Sequence, residues 1–528
     1  LEILYSAHSL IIKGWETSDI QLPYNDIMTI ILALLPIVLL VVLMVVFKQP
    51  GDRSSLITLG FTAVVAVTGF SFSLEDTAYT FLYGALKAVS PILIIILMAI
   101  FSYNTLQKTG KMEIIKRQFS TISTDRSVQV LLLTWGFGGL LEAMAGFGTA
   151  VAIPAAILIS LGYKPVFSAV VCLVANSVAT AFGAIGTPVL VLANETGLSV
   201  NDLSANVVLQ LSPLMFVIPF VIVFLADSRK AALPKNFFLS FVVGGVSLAG
   251  QYLAAKYMGA ESPAIIGSLL SIVVIIVAAQ ILKKNDDTEA DVHYSFGQLF
   301  NAWVVYLLIL LLVVVTSPLF PAIRNVLDTN CVTTISFPVE SLKPYSIHWL
   351  THAGLLLFVG TFIGGMIQGA SPKILFCTLW CTVKQLKSTV ITVVCLVGFS
   401  TVMDYAGMIT VIAGGLAAVT GSFYPLFAPL VGGIGTFITG SDTSANILFG
   451  KMQATVAGQI GVSPDWLSAA NTVGATGGKI ISPQSIAIAT SACGQQGKEG
   501  EILKSAVPYA ILYIMVSGLT VFLVWNLL

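Results

Sequence analysis

The chain has 528 residues, 56% of them hydrophobic and 9% charged, with 25 basic side chains against 25 acidic ones. Soluble domains carry roughly 25% charged residues, so this chain cannot coat a water-exposed surface and must be solvated largely by lipid. Its formal net charge is zero and no cluster of Lys and Arg is interleaved with aromatics, which excludes nucleic acid as a partner.

Residues 1–25 hold a single basic residue, Lys13, and no basic stretch leading into an apolar one. They do not read as a signal peptide, and an external N-terminal segment is expected; the absence of Met at position 1 suggests a trimmed start. Stretches long enough to span roughly 30 Å of hydrocarbon as helix, about 17 to 25 residues, then follow in order. A first half holds 26–47, 54–72, 79–102, 128–160, 165–192 and 207–226. Next come 237–254 and 262–282, a polar stretch at 283–291, and then 298–317, 350–369, 388–403, 423–460, 464–492 and 502–528. The six cysteines, Cys172, Cys331, Cys377, Cys381, Cys395 and Cys493, sit mostly in apolar runs. No disulfide framework is implied, and Cys377 and Cys381 are expected to pack as small hydrophobes.

Landmarks recur at a nearly constant distance. Gly110 answers to Gly407 at an offset of 297, Pro165 to Pro464 at 299, Asn176 to Asn471 at 295, and the span from Val207 to that from Ile502 at 295. Between Asn176 and Pro188 the chain shares five identities in thirteen positions with Asn471 to Pro483. Apolar, Gly-rich helices resemble one another by composition, but four agreeing offsets favour an internal duplication. The domains expected are an external segment 1–25, a first repeat 26–226, a two-helix connection 227–297 with a polar cytoplasmic loop, and a second repeat 298–528.

Orientation follows from the basic residues, which concentrate on the cytoplasmic side of membrane proteins. With the N-terminus outside, seventeen fall in cytoplasmic segments and four, Lys13, Lys256, Arg324 and Lys343, fall outside. The connector around Gly110 carries Lys108, Lys111, Lys116 and Arg117, whereas its counterpart at 404–424 has none. The halves are therefore expected to be inverted, as in many secondary transporters. That requires an odd number of crossings in each half, which works if 128–160 and 423–460 are re-entrant hairpins. The fold class expected is an all-α polytopic membrane protein of about twelve transmembrane helices plus two re-entrant hairpins in two inverted repeats, both termini outside.

Irregular backbone at membrane depth is tolerated only where it is buried in protein or lines a watery cavity, so interruptions in the apolar helices point to function. Four occur in two pairs: the hairpin tips at 146–149 and 440–446, and the helix breaks at 183–188 and 478–483. Each is followed by a half-helix whose N-terminus carries about half a positive charge, so two of them offset about one carboxylate. An anion site is expected. Lys479 stands where the first repeat has Ala184; it either supplies a counter-charge for a monoanion, snorkels to water, or pairs with Asp442. Gly146 and Gly148 at the first tip, with Thr149, Asn176, Thr187, Ser441, Thr443, Ser444, Asn446, Asn471, Ser482, Gln484 and Ser485, are the candidate substrate ligands beside Lys479, each with helix capping or interhelical bonding as its structural alternative. Glu142 and Asp442 are the only carboxylates in the hairpins, and either one could carry a coupling proton. His348 and His352 have metal-pair spacing without further ligands, so no metal is expected. Lys87 lies well inside a predicted span, and the sequence offers no account of it.

At these tips the sequence resembles the lactate permease family. The stretches that carry the resemblance are LEAMAGFGT at 141–149, the segment from Asn176 to Pro188, TGSDTSAN at 439–446 and GKIISPQSIAIA at 478–489, and the similarity runs from about Asp26 to the C-terminus. The resemblance implies a proton symporter of small 2-hydroxymonocarboxylates, L-lactate, D-lactate and glycolate, in a bacterial or archaeal inner membrane. It also implies kinship with an ion-transporter superfamily of inverted repeats, paired hairpins and elevator-like movement, with no cofactor beyond the coupling proton; the oligomeric state stays open. Met144, where relatives carry a smaller residue, is expected to alter the pocket, and the outer loop 318–347 matches nothing. Sodium coupling, a passive channel, and a membrane-embedded enzyme using Glu142, Asp442 and Lys479 are the competing readings.

Overall fold

A computed structural model describes residues 24–47, 49–120, 122–123, 125–146, 148–282, 294–317, 319–339, 342–495 and 498–527. Most of the expected N-terminal segment and the polar stretch 283–291 lie outside the described residues. The helices run in the order α1 (Tyr24–Val41), α2 (Gly51–Gly69), α3 (Leu74–Lys87), α4 (Ile94–Lys108), α5 (Lys111–Ser120), α6 (Arg126–Leu131), α7 (Gly139–Met144), α8 (Thr149–Ser160), α9 (Pro165–Ala179), α10 (Gly183–Thr196), α11 (Val200–Ala226), α12 (Leu233–Met258) and α13 (Pro263–Leu282). They continue as α14 (Phe296–Val315), α15 (Pro321–Thr329), α16 (Ala353–Ile367), α17 (Pro372–Gln385), α18 (Lys387–Tyr405), α19 (Met408–Thr420), α20 (Tyr424–Thr439), α21 (Asp442–Ile460), α22 (Pro464–Lys479), α23 (Pro483–Ala492) and α24 (Glu499–Leu527). Among the described residues eleven helices are long and apolar enough to cross a membrane, and Thr149–Ser160 and Ala353–Ile367 are shorter apolar ones.

Local chemistry sets most of the boundaries. Pro165 and Pro464 occupy the first turns of α9 and α22, where a missing N–H costs nothing and the fixed φ favours the helix. Gly110 and Gly407, both left-handed, precede α5 and α19. Ser199 and Ser295 accept backbone N–H bonds at the starts of α11 and α14, as N-caps should. Large apolar side chains such as Phe238, Ile281, Phe296 and Val419 are exposed. In water such a surface would aggregate; here it meets hydrocarbon.

The order of elements from α2 to α11 recurs from α16 to α24, and the packing is reciprocal. Helices α2 and α3 lie on α18, while α16 and α17 lie on α4; α10 lies on α21, while α23 lies on α8. Helix α20 approaches α22 backbone to backbone. A Cβ on Gly474 would stand 1.7 Å from the Pro429 carbonyl oxygen, so only glycine allows this contact.

Several parts were illegible by apolar length. Helix α17 buries only Leu375 and Thr382, and its 14 residues are too few to span roughly 30 Å of hydrocarbon. Cys377 and Cys381 lie on it and are exposed, which corrects the expectation that they pack internally. The described residues of segment 318–347 and its flank form α15 and a small antiparallel pair, β1 (Val332–Ile335) with β2 (Tyr345–His348), in which Val332 faces His348 and Ile335 faces Tyr345. Met144 is buried in the main hydrophobic cluster and is absent from the cavity wall, so its influence on pocket size is not direct.

Candidate functional site

Four interruptions of the helices build the site. After α7 the chain turns through Gly146 and Gly148, both left-handed, into α8; after α20 it turns through left-handed Gly440 into α21. Within 183–188 the break is made by Ala184, Ile185 and Gly186, with φ of 44°, 56° and 72°. Two of these carry side chains, and Ile185 is β-branched, so this left-handed run is strained and is held there by its surroundings. The fourth interruption lies between Lys479 and Pro483, where Ser482 caps α23 by accepting the Ser485 N–H at 3.3 Å.

Both tips press against α23. A Cβ on Gly148 would lie 2.5 Å from Ile488 Cδ1, and one on Gly440 would lie 2.2 Å from Gln484 Oε1. At this junction is a cavity of about 340 Å³, roomy for a small organic acid with some water.

The charges meet across the two repeats. Lys479 Nζ lies 3.2 Å from Glu142 Oε1 and 3.8 Å from Asp442 Oδ2. Glu142 also accepts a bond from Asn176 Nδ2 at 3.2 Å. Glu142 is 1% exposed and Asp442 2%, so neither can rely on water for solvation. Capping of α21 falls to Ser441, which accepts the Ser444 N–H at 3.3 Å, leaving the Asp442 carboxylate available. Neither of its oxygens has a well-formed hydrogen bond; the hydroxyls of Thr180 and Thr436 are its polar neighbours. Removing one partner from a buried ionic cluster strands the others, at a cost of about 3–5 kcal/mol.

Of the candidate residues, all line the cavity except Thr149, Asn446, Asn471 and Ser482. These four are corrected to structural roles. The Thr149 hydroxyl donates to Gly146 O at 2.9 Å and ties the tip, and Ser482 is the cap already described. Asn446 Nδ2 donates to Pro188 O and to Thr472 Oγ1, both at 2.9 Å, while Asn471 Nδ2 donates to Asn446 Oδ1 at 3.0 Å and Gln453 Nε2 to Asn471 Oδ1 at 3.3 Å. Both asparagines are wholly buried, so their amides pin α10, α21 and α22 together.

Thr180, Thr439, Ser388, Thr389 and Thr392 also line the cavity, and sequence reasoning missed them. The last three do carry a signal, since Thr392 lies four residues after Ser388 and three after Thr389, the spacings that neighbour each other on a helix surface. The histidines turn to separate partners: His348 Nδ1 meets Asp328 O at 2.8 Å, and His352 Nδ1 accepts the Gly354 N–H at 3.1 Å.

The L-lactate permease family model matches residues 29–528. The chain belongs to the L-lactate permease family. Its relatives include an L-lactate permease of Streptococcus iniae, 44% identical over 83% of this chain and 93% of that protein. Another is the glycolate permease GlcA of Escherichia coli (strain K12), 32% identical over 93% of this chain and 94% of that protein. An L-lactate permease of Bacillus subtilis (strain 168) is 31% identical over 96% and 98%. Among solved structures, the YdaH transporter of Alcanivorax borkumensis superposes with a TM-score of 0.51 at 13% identity, covering 90% of this chain and 98% of that one. MtrF of Neisseria gonorrhoeae does so at 0.51 and 12%, covering 91% and 96%. At that identity the likeness concerns the fold alone, a helical transporter architecture. As a permease-family member, the chain is a multi-pass integral membrane transporter rather than an enzyme.

Proposed function

We propose that this permease carries lactate or glycolate together with a proton, by alternating access, across a prokaryotic inner membrane. The observation that carries the reading is the Lys479 ammonium set between Glu142 and Asp442 where four interruptions meet. With both carboxylates ionised the triad is already net negative, and a substrate anion would add repulsion. The half-helix N-termini that open on the cavity, those of α8, α10, α21 and α23, carry partial positive charges that are fixed and screened by the water they face, so they ease this repulsion equally with and without substrate. One proton taken up with each monoanion keeps the charge of the site unchanged as the substrate enters.

Glu142 has two donors, Asn176 and Lys479, that hold it as the counter-ion of the lysine. Asp442, with no well-formed bond, takes the proton. The substrate carboxylate then faces Lys479 and the N–H groups that open α23, and its 2-hydroxyl meets the hydroxyls and amides of the wall: Thr187, Thr443, Ser444, Gln484 and Ser485. The two repeats, 26–226 and 298–528, lie inverted about this site with both termini outside, and segment 227–297 connects them.

Purified protein in liposomes should accumulate lactate or glycolate when an inward proton gradient is imposed, with sodium replaced by choline. No accumulation under a proton gradient overturns the reading; accumulation only when sodium is restored makes sodium the coupling ion.

A further inference from the structure

A second set of charges lies away from the cavity on two of the half-helices that open onto it: a buried pair near the end of α10 and a pair about one-third exposed at the middle of α21. Helix α10 begins its regular turns at Thr187, on the cavity wall, and eight residues on, about 12 Å along its axis, it carries Glu195. Helix α21 begins at Asp442 and carries Lys451 nine residues on, about 13 Å away. Neither charge is alone. Lys87 Nζ of α3 stands 3.3 Å from Glu195 Oε1, with side chains only 10% and 4% exposed, and Lys451 Nζ stands 3.8 Å from Asp404 Oδ2 of α18. All four lie within electrostatic reach of one another.

The pairs share a geometry. Helices α3 and α18 pack together, and so do α10 and α21, so each ion pair lies within one half of the chain and contacts between the halves bring the two ion pairs together. The polarity is crossed: the cation comes from α3 in one pair and from α21 in the other. The buried charges of Lys87 and Glu195 are costly at membrane depth and point to function, and Glu195 Oε1 makes no aligned hydrogen bond, so that contact is held by charge and is separable; Asp404 and Lys451, 29% and 33% exposed, already meet the outside of the bundle. Around it the Tyr83 ring meets Phe337, Tyr345 and Tyr405 at 5.6, 6.2 and 6.3 Å, with Lys87 Nζ 5.8 Å from its centroid. The Tyr345 hydroxyl of β2 donates to Ser90 O, which seats the β1–β2 hairpin over the cluster.

The cavity reaches the opposite end of the same helices. Its wall includes Met44, Gly51, Ser388 and Thr392, at helix ends flanked by Arg53 and Lys387, the side that charge bias makes cytoplasmic. None of the four outer charges lines it.

We propose that Lys87–Glu195 and Asp404–Lys451 are the extracellular gate of the transporter, closed in this structure, with the β1–β2 hairpin as its cover. The proposal rests on the alternating-access reading: the paths to the two sides open in turn, and both ion pairs part when the outer one does.

The test uses the full chain in intact cells, with the six cysteines replaced by serine and Thr392→Cys added as a reporter on the cavity wall. A membrane-impermeant maleimide applied from outside should label the reporter slowly. Glu195→Gln and Asp404→Asn, each nearly isosteric, should speed external labelling several-fold, and the exchange Lys87→Glu with Glu195→Lys should return it toward the parent rate. Labelling unchanged in both neutralised variants, or an exchange variant that reaches the membrane without restoring slow labelling, overturns the gate. Lactate counterflow by the unsubstituted chain is measured alongside. Its absence sinks the transport reading, whereas normal counterflow with unresponsive labelling sinks the gate alone.

Discussion

The two helix breaks hold equivalent places in the repeat yet are built differently. At 183–188 the interruption is made by backbone: three consecutive left-handed residues, two of them not glycine, bearing no charge. At 479–483 it is made by side chains: a lysine ends α22, and a serine caps a helix that opens on Pro483. The hairpins differ in a related way. The arm from Arg126 to Met144 includes a widened turn at Leu132–Gly138, while α20 lies against α22 with no room for a Cβ. The first half of the chain supplies Glu142 and the second supplies Lys479 and Asp442. The proposed site for an anion and a proton would need that asymmetry, because two identical halves would present matched charges.

The contrast can be broken most severely at Gly474. Gly474→Ala forces α20 off α22, and folded, monodisperse protein should be lost from membrane extracts; a normal yield would show the contact to be compliant. Next in size is Lys479→Ala, which strands two buried carboxylates at a cost of about 3–5 kcal/mol. Substrate binding should fall by two to three orders of magnitude, as read by counterflow against lactate concentration, and Lys479→Arg should retain part of it. Asn176→Ala removes a bond to a charged acceptor, worth about 1.5–3 kcal/mol, so apparent affinity should drop roughly ten- to a hundredfold while the chain stays folded.

Asp442→Asn should keep counterflow and abolish the dependence of uptake on external pH. Glu142→Gln should impair both, because it also frees Lys479; the reverse pattern would exchange the two roles. The smallest effect is expected at Ala184→Gly, which relieves left-handed strain of about 1 kcal/mol at the loss of one methyl group. A slight rise in thermal stability would mark the first break as strained backbone, and a fall would mean that the Ala184 methyl packs more than it strains.

Composition alone placed this chain in lipid, and glycine, proline and hydroxyl residues in otherwise apolar runs marked all four interruptions, because turn and cap preferences act over a few residues. The helix starts at Pro165 and Pro464 were legible for the same reason. What those signals could not rank were polar groups with equal local credentials. Asn176 and Asn471 hold the same place in their repeats, yet one reaches Glu142 beside the cavity and the other is spent holding helices together. Likewise Lys87, a bare anomaly in its own span, finds Glu195 more than a hundred positions away. Partner choice between distant segments depends on which faces the packing brings within a few ångströms, so tertiary structure alone decided which side chains line the cavity, which brace the helices, and which pair away from it.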